Sequence, residues 1–176
     1  MLVIGLARVV FTVLDSTGKV CKYAADTPRF ESRQVCWNSH AKVEAGKYYQ
    51  VTIALEKEPW RDASIPATLR GFGSEQFPGK TRYIAPAFVL LRRHLTEPWF
   101  KPILRIGASG QDNYPLDVAP LENSSTVGVA KFQARSSGEV FLYVNDAVLP
   151  VLNGWQRFYQ NNHGAACVEI KELPSP

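Results

Sequence analysis

The stretch "GEVFLYVNDAVLPVLNGWQRFYQNNHGAACVEIKEL", residues 138–173, decides the prediction of the fold. Two runs rich in β-branched and aromatic residues, 139–144 and 165–171, predict β-strands. The alternation within the first run predicts one buried face. A long loop joins the two strands, so we expect its two ends to lie close together.

Similar short runs recur along the chain, bounded by Gly, Pro, Asn and Ser. They predict further strands at residues 7–14, 19–23, 41–43, 48–55, 88–91, 103–106 and 127–133. The sequence DSTG at residues 15–18 predicts a hairpin turn between the first two of these. Residues 86–95 suggest one or two helical turns, but twelve prolines spread through the chain argue against long helices. The pattern predicts an all-β protein, a jelly-roll or Greek-key β-sandwich with little helix.

The length of 176 residues predicts a single domain, residues 1–176. The content of 45% hydrophobic and 20% charged residues is typical of a soluble globular protein. The formal net charge is +4, and the basic residues are scattered along the chain. Nucleic-acid-binding domains instead concentrate Lys and Arg on one surface. Nucleic acid is therefore not an expected partner.

The N-terminal run MLVIGLARVVFTVL is apolar but lacks the basic region and cleavage site of a signal peptide. The run is also too short to span a bilayer, and Arg8 interrupts it. We expect a soluble protein without a membrane span, located in the cytoplasm or exported without a signal peptide.

Three cysteines, Cys21, Cys36 and Cys167, are too few for a disulfide framework. Cys21 and Cys36 could form a bridge. The favoured alternative is that all three cysteines are buried thiols that pack as small apolar residues. The chain contains no G-x-S-x-G, H-E-x-x-H or P-loop motif. We therefore expect no catalytic residues and no enzyme activity.

The loop of the C-terminal hairpin carries oxygen-bearing side chains at both ends. It begins with Asn145 and Asp146 and ends with Asn161 and Asn162. Ca²⁺ takes six to eight oxygen ligands from carboxylates, amides and backbone carbonyls, so the two ends could bind one ion. Bound calcium could also accept two neighbouring sugar hydroxyls. The alternative is turn formation, the commoner role of Asn and Asp pairs, and from the residues alone both explanations stay open.

Four segments together carry a resemblance to a known family: "GEVFLYVNDA", "YQNNHGAACVEI", "PILRIGASG" and "GKYYQVTIALEKEPW". They resemble the PA-IL-like galactose-binding bacterial lectins over about residues 46–173. Residues 1–45 lie outside the resemblance and are expected to add a strand extension. The resemblance implies a small jelly-roll sandwich that binds a galactoside through calcium. The chain also resembles domains of this kind that are appended to larger bacterial hydrolases and secreted effectors.

The resemblance also implies site residues. The implied metal ligands are Asp146, Asn161 and Asn162, the backbone carbonyl of Phe158, and a carbonyl near Asp62. The implied sugar contacts are Asp146 and Asn161.

The chain departs from the family in a longer, aromatic loop, where Trp155 and Tyr159 could form a stacking wall for a sugar or a plug. His94 lies near the position of the family's own sugar-contacting histidine. Trp60 is a further candidate for lining the site. The alternative function is a structural or protein-interaction domain that has lost sugar binding, either as a homo-oligomer or within a larger effector.

Overall fold

The computed structural model describes residues 2–22, 24–80, 82–83, 89–122, 124–148 and 156–174. Helix α1 spans Leu2–Ser16. Short 3₁₀ turns follow at Ser74–Gln76 and Tyr159–Asn161. None of the helices in the described part of the chain has the length and apolar character needed to cross a bilayer.

The strands of the described residues form three antiparallel sheets. The largest contains, in spatial order, β1 (Phe30–Glu31), β12 (Ala165–Leu173), β3 (Tyr48–Leu55), β9 (Val127–Gln133) and β8 (Ala119–Pro120). The second contains β2 (Trp37–Val43), β10 (Gly138–Val144), β6 (Pro102–Ile106) and β7 (Asn113–Pro115). The third contains β11 (Asn162–His163), β4 (Arg61–Asp62) and β5 (Ile65–Pro66).

The two larger sheets pack face to face around one buried apolar cluster. Val51 and Ile53 of β3 contribute from one sheet, and Leu104 of β6 and Leu142 of β10 from the other. All four side chains are 0% exposed. The prediction of an all-β sandwich is therefore confirmed.

Strand β10 lies between β2 and β6 and is buried on both of its faces, not on one as predicted. Its residue Leu142 points into the sandwich core, whereas Phe141 packs against the Cys21 and Cys36 side chains on the other side. The run FLYV is apolar throughout because α1 and the turn after it cover the outer face of this sheet.

The N-terminal run forms a helix where a strand was predicted. The predictions of strands at residues 7–14 and 19–23, and of a hairpin turn at residues 15–18, are wrong. β-branched residues disfavour helix by only a few tenths of a kcal/mol each, so tertiary contacts can outweigh them. Those contacts are made by Phe11, which is 4% exposed, and by Asp15. The region of residues 1–45 is thus a helix and two strands, β1 and β2, rather than a strand extension alone.

A disulfide bond joins Cys21 to Cys36 and ties the turn after α1 to the residue before β2. The favoured prediction of three buried thiols is therefore wrong. Cys21 and Cys36 are bridged, and the thiol of Cys167 is exposed.

The strand predicted at residues 88–91 is not observed where the chain is described: Val89 is helical, and residues 90–91 form a turn. Residues 84–88, which include most of the predicted helical turn, lie outside the described residues. The neighbouring segment that begins at residue 56 is ordered into β4, β5 and a 3₁₀ turn.

Candidate functional site

Three segments that are distant in the sequence meet at one edge of the sandwich. Asp146 follows the end of β10, Asn161 ends the second 3₁₀ turn, and Asn162 begins β11. Strand β11 pairs with β4, so that Asn162 lies opposite Asp62. The predicted convergence of the two loop ends therefore occurs, and β4 adds a second carboxylate to it.

Hydrogen bonds hold the two amides against the two carboxylates. Asn162 Nδ2 donates to Asp146 Oδ2 at 2.8 Å, and Asn161 Nδ2 donates to Asp62 Oδ1 at 2.8 Å. The backbone N–H of Ala147 donates to Asp146 Oδ1 at 2.6 Å. With both amide nitrogens committed to carboxylates, the amide oxygens are left for another partner. Asn162 Oδ1 is buried and has no hydrogen-bond partner among the described residues.

The two carboxylates are buried together, and no basic side chain of the described residues pairs with them. Asp146 is 3% exposed and Asp62 is 8% exposed. Burial and repulsion from Asp62 raise the pKa of Asp146 to about 7. Burial also raises the pKa of Asp62, although the hydrogen bond from Asn161 acts to lower it. No Lys, Arg or His of the described residues forms an ion pair with either group. The pair therefore favours either a proton or a bound cation.

A cavity of about 250 Å³ opens beside the carboxylates, and its walls are largely apolar. Its polar side is formed by Asp62, Asp146 and Asn161. Its apolar walls are formed by Ile65, Phe77, Pro78, Trp99, Ala147 and Phe158. The site thus places charged oxygens next to aromatic rings.

Asn145 does not belong to the site. Its Nδ2 donates to the backbone carbonyls of His94, Glu97 and Pro98, and its Oδ1 accepts from the backbone N–H of His94. The side chain therefore holds residues 94–98 in place and is not a fourth ligand from the loop.

The structure places two of the predicted sugar contacts away from this cavity. Tyr159 is 0% exposed, and its hydroxyl donates to the carbonyl of Val144 at 2.7 Å, so it packs in the core. The ring of His94 hydrogen-bonds the hydroxyl of Tyr143 at 2.7 Å and faces a different cavity. Trp60 is likewise buried in the core, at 0% exposed. Trp155 lies outside the described residues.

The ring of Phe158 lines the cavity, while the role of its carbonyl as a ligand stays a prediction. Sequence reasoning missed Phe77 and Trp99 as wall residues. The only signal for Phe77 was the unusual length of the segment from residue 56 to 82, since long loops are often functional. Trp99 is held by a hydrogen bond from its Nε1 to Ser74 Oγ at 3.1 Å.

The donor set at this site suits a hard cation. Within the described ranges, no group of three or more His, Cys, Asp or Glu side chains is arranged to hold a metal ion. Two carboxylates and two amide oxygens form a different set, which lacks the sulfur and imidazole ligands of zinc sites. All-oxygen ligation is characteristic of Ca²⁺, and the unpartnered Asn162 Oδ1 is consistent with it.

Comparison with known proteins finds a likeness to a solved structure. No protein-family model matches the chain, and no curated protein matches it. A solved structure described as "EclA N-terminal domain; PllA-like lectin" superposes with a TM-score of 0.47 and 15% sequence identity. The match covers 82% of this chain and 93% of that one. At this level of similarity the likeness says nothing about ligands or binding residues.

Proposed function

We propose that this protein is a non-catalytic carbohydrate-binding domain that binds a galactoside through a calcium ion. The observation that carries the proposal is the buried pair Asp62 and Asp146, which shares a site with two amide side chains and receives no positive charge from the described residues. A buried pair of like charges is costly unless a cation or a proton compensates it.

The residues that would hold the calcium ion are Asp62, Asp146, Asn161 and Asn162, with the carbonyl of Phe158 as a further ligand. Bound calcium supplies open coordination positions that neighbouring sugar hydroxyls can fill. Asp146 and Asn161 would contact the same hydroxyls. The rings of Phe77 and Trp99 would pack against the C–H face of a sugar in the cavity.

Calcium titration tests the first half of this proposal. After treatment with EDTA, addition of millimolar Ca²⁺ should raise the melting temperature, because an ion that binds only the folded chain stabilises it by mass action. Asp146→Ala should abolish the shift. Asp117→Ala removes an aspartate side chain that is 93% exposed and should leave the shift unchanged. The absence of any calcium-dependent shift in the unmodified protein would rule out the proposed ion site.

A glycan array with and without calcium tests the second half. Galactoside binding that disappears in EDTA is the expected result. Calcium binding without any glycan binding would leave an ion site of structural role only and would contradict the carbohydrate proposal.

A protein-interaction domain is the second candidate function, and the exposed face of α1 favours it. Leu6, Val9 and Val13 are 67%, 60% and 53% exposed on this helix. Such apolar surface on a soluble domain often marks a contact with another protein. If this function is the correct one, replacing Val9 and Val13 by Glu should weaken self-association or partner binding in sedimentation experiments, with calcium having no effect.

A further inference from the structure

A buried excess of positive charge lies beneath α1, on the outer side of the four-stranded sheet. Asp15 Oδ1 accepts hydrogen bonds from Arg93 Nη2 at 2.8 Å and from Arg105 Nη1 at 2.7 Å. The two arginine side chains are 1% and 0% exposed. One carboxylate thus serves two buried guanidinium groups, and one positive charge stays without a counter-ion among the described residues.

Other donors of the two arginines are directed at neutral acceptors, and Arg93 Nε is buried without a hydrogen-bond partner among the described residues. Arg93 Nη1 donates to the carbonyl of Val35 at 2.6 Å, and Arg105 Nη2 donates to the carbonyl of Gly110 at 2.6 Å. The ring of Tyr143 lies over the guanidinium carbon of Arg93 at 3.4 Å from the ring centroid. Carbonyls and aromatic faces solvate a cation but do not neutralise it, so the buried excess charge persists.

A third arginine adds to the excess from the helix. Arg8 Nη1 donates to the carbonyl of Arg92 at 2.8 Å, and Arg8 makes no ion pair with any described carboxylate. The acidic group nearby, Glu97, already accepts from Lys101 at 2.8 Å. Of the described carboxylates, only that of Asp15 forms ion pairs with these three guanidinium groups.

A cavity of about 460 Å³ lies at this place, between α1, the segment 93–96 and β7. Its polar lining includes Arg8, Arg93, His94, Thr96 and Gln111, together with Asp15, whose carboxylate is already paired with two arginines. The volume falls in the range of small-molecule sites, about 300–1,000 Å³. Neither the Thr96 hydroxyl nor the Gln111 amide makes a side-chain hydrogen bond within the described part of the chain, so both are free to donate to a ligand.

The electrostatic environment of His94 agrees with a cationic cavity. Burial, together with the charges of Arg93 and Arg8, lowers the pKa of His94 to about 4, while Asp15 and Glu97 act in the opposite direction. The imidazole is therefore neutral at pH 7 and adds no charge of its own. The positive field in the cavity comes from the arginines.

We propose that this cavity binds a tetrahedral oxyanion, a phosphate or sulfate group, either as a free ion or as a monoester on a small molecule. Arginine is the side chain best suited to such groups, because its planar set of N–H donors matches their oxygens and it keeps its charge when buried. The anion would neutralise the excess charge of Arg8 and Arg93, with Thr96 and Gln111 as neutral donors in the lining of the cavity. The site is separate from the Asp62–Asp146 site and does not depend on calcium.

Calorimetric titration with inorganic phosphate at constant ionic strength tests the proposal. The expected result is saturable binding that also shifts the imidazole resonances of His94. Arg8→Gln should weaken phosphate binding about tenfold or more, which corresponds to about 1.4 kcal/mol. Arg157→Gln removes the same charge from an exposed position and should have little effect.

Gln111→Leu is the second variant, because Arg8 also holds the helix against residues 90–92 and its replacement could affect folding. Gln111 is exposed and makes no side-chain hydrogen bond, so its replacement should weaken phosphate binding several-fold without lowering the melting temperature. The proposal is overturned if phosphate does not bind at millimolar concentration, or if Arg8→Gln and Gln111→Leu bind it as well as Arg157→Gln does.

Glucose 6-phosphate separates the two sources of the anion. Tighter binding of this ester than of inorganic phosphate would show that the cavity accepts an organic substituent. Equal or weaker binding would indicate that the site takes the free anion. Either result supports an anion site only if the Arg8 variant loses the binding.

Discussion

Asn162 Nδ2 lies 2.8 Å from Asp146 Oδ2, and this hydrogen bond joins the two ends of the loop between β10 and β12. The β4–β11 pairing places Asp62 opposite the same asparagine. Two neighbouring amide side chains, Asn161 and Asn162, therefore hold two carboxylates that come from different parts of the chain. The stability of the protein and its proposed ion binding should depend on the same few atoms, so that one substitution can change both properties.

Asp62→Asn should stabilise the calcium-free protein while abolishing its response to calcium. The variant keeps an oxygen to accept from Asn161, and it removes the charge that repels Asp146. We expect the free energy of unfolding in EDTA to rise by about 1 kcal/mol, roughly one pKa unit of relieved repulsion. Urea denaturation with and without Ca²⁺ measures both effects. A loss of stability in EDTA would show that the two carboxylates do not repel each other in the folded protein.

Asp15→Asn should destabilise the fold strongly, because it leaves Arg93 and Arg105 buried without a carboxylate. Removal of one partner from a buried ion pair costs about 3–5 kcal/mol. Asp26→Asn is the matched control, since Asp26 is 82% exposed and pairs with His40 on the surface. Urea denaturation of the two variants should differ by several kcal/mol. Equal stability would mean that α1 is not held by the Asp15 contacts.

The stability of the protein should fall as the pH drops from about 6.5 towards 4, in part because of His94. The folded protein lowers the pKa of this group to about 4, so the unfolded chain binds the proton first. Between pH 6.5 and 4 the unfolded state therefore carries more protons than the folded state. The contribution of His94 to stability is present above pH 6.5 and is lost on acidification. The shift corresponds to at most about 3 kcal/mol.

His94→Gln isolates this contribution. The variant should be less stable at neutral pH, because it loses the hydrogen bond to Tyr143, and its stability should depend less on pH between 6.5 and 4. Urea denaturation at pH 7 and pH 4.5 provides the measurement. An unchanged slope would show that His94 titrates normally in the folded protein. Asp146 titrates in the opposite sense, so the comparison is made with the unmodified protein under identical calcium-free conditions.

The disulfide between Cys21 and Cys36 should be detectable by counting thiols. Under denaturing, non-reducing conditions we expect one reactive thiol, that of Cys167, and three after reduction. Replacement of both bridged cysteines by Ser should cost about 3 kcal/mol, the amount expected for a loop of about 15 residues. Cys167→Ser should have little effect, because this side chain is exposed. Three reactive thiols before reduction would contradict the bridge.

Local sequence determined much of the sandwich. The strands predicted at residues 48–55 and 127–133 coincide with β3 and β9, and the two runs of the final hairpin fall within β10 and β12. These strands could be predicted because alternation and β-branched residues are local properties. The sequence also located Asp146, Asn161 and Asn162 at the two ends of one loop, since a hairpin brings its loop ends together.

Tertiary structure alone decided the rest. Helix α1 forms because its Phe11 and Asp15 dock on the outer face of β10 and its neighbours, contacts that outweigh a small propensity for extended structure. Asp62 reaches the candidate site through the pairing of two-residue strands and a hydrogen bond that spans 99 positions of the sequence. Such pairings depend on the path of the whole chain, whereas the patterns that predict strands extend over a few residues. The sequence by itself therefore determined the strands of the sandwich, and the assembled fold decided which polar side chains share a buried site.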